Sequence, residues 1–266
     1  MYYIGNSIIK NGKVESLSEQ EPIGLDNEIY ELLRVQNGKP IFLTDHLNRL
    51  SQTLIATGYD ANLISNIGSL IDWLIICNQQ NNCNLRITVS SSALVQAGFV
   101  PSEYPTKQMY DKGVKTSILD ATRTTPKLKI YHAQMRQEAL DQQTNEQTYE
   151  SLLINKHEQI TEGSRSNVFF IKGNTLYTAP SRMVLGGIIR DKVIEICKLK
   201  GIQLLEIPVD KAGINTFDTA FLTSTPMRIL PISAIGNVEY KRENKLLSLI
   251  MDEIENLVNN NKKSNQ

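Results

Sequence analysis

The spacing of apolar and polar residues switches repeatedly between a strand-like and a helix-like period along the chain. Residues 28–36 and 40–44 read as two strands of a hairpin, closed by Asn37–Gly38, a pair that tolerates positive φ. Thr44 or Asp45 then caps a helix to about Ala56, with Leu47, Leu50, Leu54 and Ile55 on its apolar face. A second amphipathic helix is predicted over 62–78, and a strand rich in β-branched residues over 85–95. Pro101 and Pro105 disfavour regular structure in 101–107, so the boundary falls there and gives domains 1–108 and 109–266.

The second part opens with a strand near 113–120 and a helix over 131–142. Residues 151–155 and 167–171 read as buried strands, and Lys172–Gly173–Asn174 turns the latter into 175–177. A helix follows Gly186–Gly187 to about Lys200, then a strand over 219–223 and a final helix over 245–259. Residues 259–266 carry almost no apolar side chain and are expected to be disordered. Segregated strands with interspersed helices predict an α/β chain of two mixed domains rather than one doubly wound parallel sheet.

Composition narrows the partners. With 41% hydrophobic residues the chain can bury a core, and Lys+Arg balances Asp+Glu at 28 each. That balance favours neither a nucleic-acid nor a membrane-surface partner. Cys77, Cys83 and Cys197 fit no zinc spacing and, being odd in number, no disulfide framework. No apolar run reaches membrane-spanning length and the N-terminus lacks a signal-peptide pattern, so the expected location is cytoplasmic.

Candidate chemistry centres on Ile160–Thr161–Glu162–Gly163–Ser164–Arg165–Ser166–Asn167–Val168–Phe169. Glu162 sits at a strand edge near the core, where a carboxylate must be solvated, paired or functional. Gly186–Gly187 ahead of a helix is either a plain glycine loop or an anion site built from helix-terminal amides. Thr223–Ser224–Thr225–Pro226 is either a polar turn or a second set of anion donors. His46 and Arg49 lie three apart on one helix face, where Arg49 either clamps an oxyanion or faces solvent. His132 and His157 have no metal-ligand spacing, and no Gly-x-Ser-x-Gly elbow is present. These residues describe an α/β protein suited to a phosphorylated ligand, without singling out a catalytic side chain.

Taken in order, the segments resemble the class IV aminotransferases, the fold-type IV family of pyridoxal 5′-phosphate enzymes. That family includes branched-chain and D-amino acid aminotransferases and 4-amino-4-deoxychorismate lyase. Tyr30–Glu31–Leu32–Leu33–Arg34–Val35 and His46–Leu47–Asn48–Arg49–Leu50 resemble its first motif. Tyr149–Glu150–Ser151–Leu152–Leu153 and the Glu162 stretch resemble its most distinctive one. Leu185–Gly186–Gly187–Ile188–Ile189–Arg190–Asp191 and Thr223–Ser224–Thr225 resemble its two phosphate loops.

The resemblance implies a smaller N-terminal α/β domain and a larger C-terminal domain with a mixed, barrel-like sheet. It implies pyridoxal 5′-phosphate anchored on Lys129, with Lys127 the alternative, and no metal. Glu162 would face the pyridine nitrogen. Arg49 would bind the phosphate with groups at Ile188, Ile189, Ser224 and Thr225, and Tyr30 would line the pocket. Arg165 and Arg182 are candidates for the substrate carboxylate, and a homodimer is expected. The implied reaction moves an amino group between a small amino acid and a 2-oxo acid. The alternatives are the lyase, releasing pyruvate and 4-aminobenzoate, and a non-catalytic relic acting through its dimer surface.

Four positions depart from the family pattern. Ile189 replaces a threonine, and Leu25–Asp26–Asn27–Glu28 replaces a Gly-Asp-Gly-like approach. Residues 85–99 lack the Arg-x-His trap of D-amino acid aminotransferases. Glu31–Leu32 stand where the lyase often carries a threonine.

Overall fold

The computed structural model describes residues 1–17 and 22–264. The chain forms two compact units of mixed α/β structure. The first comprises Met1–Glu103, Leu128–Ala133 and Val258–Gln266, and the second Tyr104–Lys127 and Gln134–Leu257. The first crossing lies in the proline-containing stretch. The returns at 128–133 and 258–266 have no marker in the hydropathy pattern, and they put Lys129 in the first unit.

The first unit is an antiparallel sheet with two helices on it. Its strands are β1 (Ile4–Lys10), β2 (Lys13–Ser16), β3 (Ile29–Gln36), β4 (Lys39–Pro40), β5 (Asn82–Val89) and β6 (Val95–Val100), in the order β2-β1-β6-β5-β3-β4. Asn37 and Gly38 take φ of 53° and 72° between β3 and β4, the geometry a two-residue hairpin needs. Helices α1 (Leu43–Ala56) and α2 (Ile67–Asn78) bury Leu50, Leu54, Ile67, Ile71 and Leu74 against Leu33, Leu85, Ile87 and Phe99. Nonpolar burial of this extent is the main stabilising term of the unit.

Five expectations change here. The strand expected over 40–44 is Lys39–Pro40 alone, because Leu43 and Thr44 already belong to α1. Neither Thr44 nor Asp45 caps α1; the helix starts after Phe42, which takes φ 53° with its amide on Asn261 Oδ1. Ile55 points outward, 64% exposed, because the buried stripe of α1 runs through His46, Leu50, Thr53 and Leu54. The helix expected over 62–78 is split. Asp60 captures the Asn62 amide and holds Ala61–Ile64 in a 3₁₀ turn, before α2 begins at Ile67. The strand expected over 85–95 is a hairpin, since Ser90 accepts from the Leu94 amide and turns the chain between β5 and β6.

The second unit is built on a mixed sheet. Its strands are β7 (Val114–Asp120), β8 (Glu150–Ile154), β9 (Gln159–Gly163), β10 (Asn167–Lys172), β11 (Thr175–Thr178), β12 (Gln203–Glu206), β13 (Val209–Asp210), β14 (Thr219–Ser224), β15 (Arg228–Ile235) and β16 (Val238–Glu239). The order is β12-β11-β10-β14-β15-β7-β8-β9-β13, with β16 on β15. The pairs β11–β12, β15–β7 and β7–β8 are parallel and the others antiparallel. Strands β8, β10 and β14 are buried throughout most of their length, which explains their unbroken apolar runs. Phe169 and Phe221 stack at 5.1 Å across the β10–β14 pair.

Four helices accompany these strands: α3 (Lys107–Lys112), α4 (Ala133–Glu146), α5 (Ile188–Lys200) and α6 (Lys245–Ser264). Helix α4 begins later and runs further than the predicted 131–142. Helix α6 continues through residues expected to be disordered, up to Ser264; the last two residues of that tail lie outside the described residues. Among the described residues, no helix is long and apolar enough to cross a membrane.

Candidate active site

In the first unit, β3 and α1 bring three polar side chains together inside the core. Glu31 is fully buried on β3 and meets Arg49 in a two-pronged pair: Nε donates to Oε1 and Nη2 to Oε2, each at 2.7 Å. His46 Nδ1 lies 2.7 Å from Glu31 Oε2. The three-residue spacing of His46 and Arg49 along α1 makes both converge on one carboxylate. Burial alone would push the Glu31 carboxyl up, but the Arg49 charge and the hydrogen bonds from Arg49 and His46 outweigh it and bring it down to about 2. Glu31 is therefore ionised, and His46 Nδ1–H donates to it. Burial holds His46 below its ordinary value; Glu31 opposes this, and the charges of Arg49 and Lys129 add to it. The buried group is a carboxylate, a guanidinium and a neutral imidazole.

Lys129 joins this group through a short bridge to the start of β3. Ile130 pairs with Ile29, and the Tyr30 amide donates to the Lys129 carbonyl at 3.0 Å. The Lys129 amine stands 4.8 Å from the centre of the Tyr30 ring. Lys129 is half-buried, whereas Lys127 is exposed. Tyr30, Arg49 and Lys129, named separately from the sequence, thus belong to one unit, where Lys129 meets Tyr30 and Arg49 meets Glu31. Neither Glu31 nor His46 carries a role in the sequence reading; the three-residue spacing of His46 from Arg49 is a local signal, while Glu31 pairs with Arg49 from 18 residues away.

In the second unit, Glu162 is the penultimate residue of β9 and is 2% exposed. Arg123 Nε donates to its Oε1 at 2.9 Å, and Arg123 Nη2 donates to the Ser164 carbonyl at 2.9 Å. Glu162 Oε2 accepts from the Leu185 amide at 3.3 Å and from Asn167 Nδ2 at 3.4 Å. Asn167 Nδ2 also donates to the Leu185 carbonyl at 2.9 Å. The awkward carboxylate is paired, and Arg123 had no signal in the sequence because it lies in a polar segment remote from the Glu162 motif.

The same network fixes the glycine loop. A Cβ on Gly187 would stand 2.1 Å from Asn167 Oδ1, so close approach requires glycine there. Gly187 is the N-cap of α5, and the first intrahelical bond is Asp191 N–H to the Gly187 carbonyl. The amides of Ile188, Ile189 and Arg190 precede that bond and form the positive end of the helix. The Ile188 and Ile189 side chains are buried, so their side chains serve packing. Ser224 ends β14 half-buried, and Thr225 follows it buried in the turn to β15.

A second buried carboxylate, Glu150, shapes the turn after Glu162. It accepts from Ser164 Oγ at 2.6 Å, Ser166 Oγ at 2.8 Å and the Ser151 amide at 2.9 Å. This explains the small hydroxyl residues of the motif. Arg165 is turned outward, with Nη2 on the Tyr149 carbonyl at 2.9 Å and its guanidinium 5.0 Å from the Tyr149 ring centre. Arg182 is exposed. Among the described residues, no group of three or more His, Cys, Asp or Glu side chains could hold a metal ion.

The chain belongs to the class IV amino-transferase family, whose pattern it matches over residues 28–235. It is 28% identical over 231 residues to the D-alanine aminotransferase of Bacillus licheniformis, covering 78% of each chain. It is 27% identical over 254 residues to the aminodeoxychorismate lyase of Bacillus subtilis (strain 168), covering 86% of each. Its fold matches the branched-chain aminotransferase of the archaeon Thermoproteus uzoniensis, solved with norvaline: TM-score 0.80, 20% identity, 97% of each chain covered. The expected family and mixed α/β fold are thereby established, and the chain is an enzyme of a family of pyridoxal-phosphate-dependent enzymes.

Proposed function

We propose that this enzyme is a pyridoxal 5′-phosphate-dependent aminotransferase acting on a small amino acid and a 2-oxo acid, with Lys129 as its catalytic lysine. One observation carries the assignment of the lysine. The Lys129 amine is held against Tyr30 within the same unit as the Arg49–Glu31–His46 group, while Lys127 is exposed.

The donor set fits the cofactor. A phosphate dianion calls for cations and backbone amides, which Arg49 and the start of α5 at Ile188 and Ile189 supply, aided by hydroxyls at Ser224 and Thr225. Ile189 lacks the family's hydroxyl but keeps its amide. A pyridinium nitrogen calls for a carboxylate, and Glu162, held by its pair with Arg123, fills that role. When bound, the cofactor supplies the carbonyl that captures an amine and the ring that takes up electrons from the substrate Cα.

The residues do the remainder. Lys129 would anchor the cofactor and, as a free amine, would move the proton from the substrate Cα to C4′. Glu162 holds the proton on the ring nitrogen, and Glu31 keeps Arg49 in a fixed orientation for the phosphate. Tyr30 lines the pocket against the Lys129 amine. Arg165 and Arg182, both turned toward solvent, contribute less to this reading. A homodimer in the cytoplasm is the assembly and location that go with it.

Incubation with amino donors and 2-oxo acids, followed by product analysis, tests the reaction. Transfer to an acceptor supports it. Pyruvate release from aminodeoxychorismate without transfer would assign the lyase instead, a reading that Glu31 disfavours. A protein with no chromophoric cofactor and no labelled lysine after borohydride would leave the relic.

A further inference from the structure

Arg86 is the most deeply buried cation near Lys129. It lies in the middle of β5, opposite Leu32 of β3 and Gly98 of β6, and is 2% exposed. Its guanidinium carbon stands 4.3 Å from the Tyr30 ring centre and 5.2 Å from that of Tyr131. Nη2 donates to Glu28 Oε2 at 2.9 Å, while Nε is buried with no hydrogen-bond partner among the described residues. Glu28 is buried too, and its Oε2 also accepts from the Gly24 amide at 3.0 Å. Tyr30 therefore lies next to Arg86 and next to the Lys129 amine.

A buried guanidinium one ring away from the reacting amine is a natural receptor for a substrate carboxylate. Here that receptor is filled from within. Glu28 neutralises Arg86 and occupies one of its donors. An incoming second carboxylate would either displace Glu28 into an uncompensated buried state or add a negative charge beside it; both are costly. Glu28 stands in Leu25–Asp26–Asn27–Glu28, the segment that departs from the family's Gly-Asp-Gly-like approach.

We infer that Glu28 is a specificity-determining residue: by occupying Arg86 it turns the site against substrates that carry a second carboxylate and toward those with uncharged side chains. This rests on the reading of Lys129 as the catalytic lysine. Selection arises from an unfavourable arrangement for the wrong substrate rather than an added contact for the right one.

The test compares the wild-type holoenzyme, Glu28→Gln and the double variant Glu28→Gln with Arg86→Gln. The glutamine keeps the side-chain length and an acceptor for the Gly24 amide but removes the charge. Wild type is expected to use pyruvate well and 2-oxoglutarate poorly. Glu28→Gln is expected to shift the ratio of kcat/KM toward 2-oxoglutarate by at least about tenfold, through KM, and the double variant to lose that shift. Glutarate, an unreactive dicarboxylate, is expected to raise the melting temperature of Glu28→Gln but not of the other two.

Equal use of both acceptors by the wild type would overturn the inference, and this measurement needs no variant. An unchanged ratio in a folded Glu28→Gln protein would overturn it as well. If neither protein transfers an amino group to any acceptor, the aminotransferase reading fails. The glutarate shift then decides by itself whether Glu28 blocks a carboxylate receptor at Arg86.

Discussion

Arg49–Glu31 in the first unit and Arg123–Glu162 in the second are buried Arg–Glu pairs, built alike but assigned opposite senses. In the first, Arg49 is the group assigned to a ligand and Glu31 is its support. In the second, Glu162 is assigned to the ligand and Arg123 is its support. Both carboxylates are almost wholly buried, and both accept further hydrogen bonds. The exposure of the partners differs with the role. Arg49 keeps 12% of its side-chain surface, while Arg123 keeps 3%. The cofactor roles that the resemblance implies fall on Arg49 and Glu162, and on neither Glu31 nor Arg123.

The largest test of this division removes the ligand-facing carboxylate. Glu162→Ala leaves the ring nitrogen without its partner, and turnover is expected to fall by roughly a thousandfold while the cofactor absorbance is retained. Loss of the cofactor together with the rate would make Glu162 a structural charge like Glu31. Unimpaired turnover would remove it from the site altogether.

Removing the supporting carboxylate should act on stability first. Glu31→Gln leaves Arg49 and His46 buried beside a neutral group, at a cost on the order of 3 kcal/mol. Thermal or denaturant unfolding measures it. A loss below about 0.5 kcal/mol, the range of ordinary surface changes, would show that Glu31 supports nothing. Arg123→Gln is its counterpart in the second unit and should also lower turnover, because it disturbs the carboxylate assigned to the cofactor.

How much of this was legible follows from the kind of signal each residue leaves. The turn at Asn37–Gly38, the helix after Gly187 and the buried runs of β8 and β10 are local patterns that the sequence carries, although the strand after the turn is shorter than its pattern suggests. The β5–β6 hairpin was missed because three serines look like a continuation of a β-branched run until one of them accepts the Leu94 amide. Arg123 was missed because its partner lies 39 residues away, and pairing at that distance has no periodicity. Glu28 is the reverse case. It was visible as a departure from the family pattern, but its meaning depends on Arg86, 58 residues away. Motif spacing locates residues that act through neighbours on one element; tertiary ion pairs leave no such trace.

Acid pH tests the first pair in a second way. The Glu31 carboxyl is lowered in the folded protein from 4.5 to about 2. A depressed carboxyl contributes stability above its unfolded value, and that contribution fades as pH falls through the window from 4.5 toward 2. About 3 kcal/mol is at stake over the window, of which about 1 kcal/mol should be lost by about pH 3.5. His46 adds to the trend at higher pH. Its folded value is lowered from 6.5, so its contribution is present above 6.5 and declines as the unfolded chain takes up a proton below it. Unfolding curves recorded from about pH 7 to about pH 3 should therefore be flatter below 4.5 for Glu31→Gln than for the wild type. Parallel curves would place the acid-sensitive group elsewhere.

The smallest expected effect discriminates between two lysines only two residues apart. Lys129 lies on the bridge to β3 and brings its amine to Tyr30, whereas Lys127 is exposed. Two residues along an extended segment return a side chain to the same face, so spacing alone cannot separate them. The separation comes from the bridge, which ties the Lys129 carbonyl to the Tyr30 amide and draws residues 128–133 into the first unit. Lys127→Ala should then change stability by less than about 0.5 kcal/mol. Turnover and the lysine labelled by borohydride should both be unaltered. Loss of labelling in that variant would move the reacting amine to Lys127, and the pairing of Lys129 with Tyr30 would become a packing contact of the first unit, leaving Arg49 and Glu31 without a nucleophile beside them.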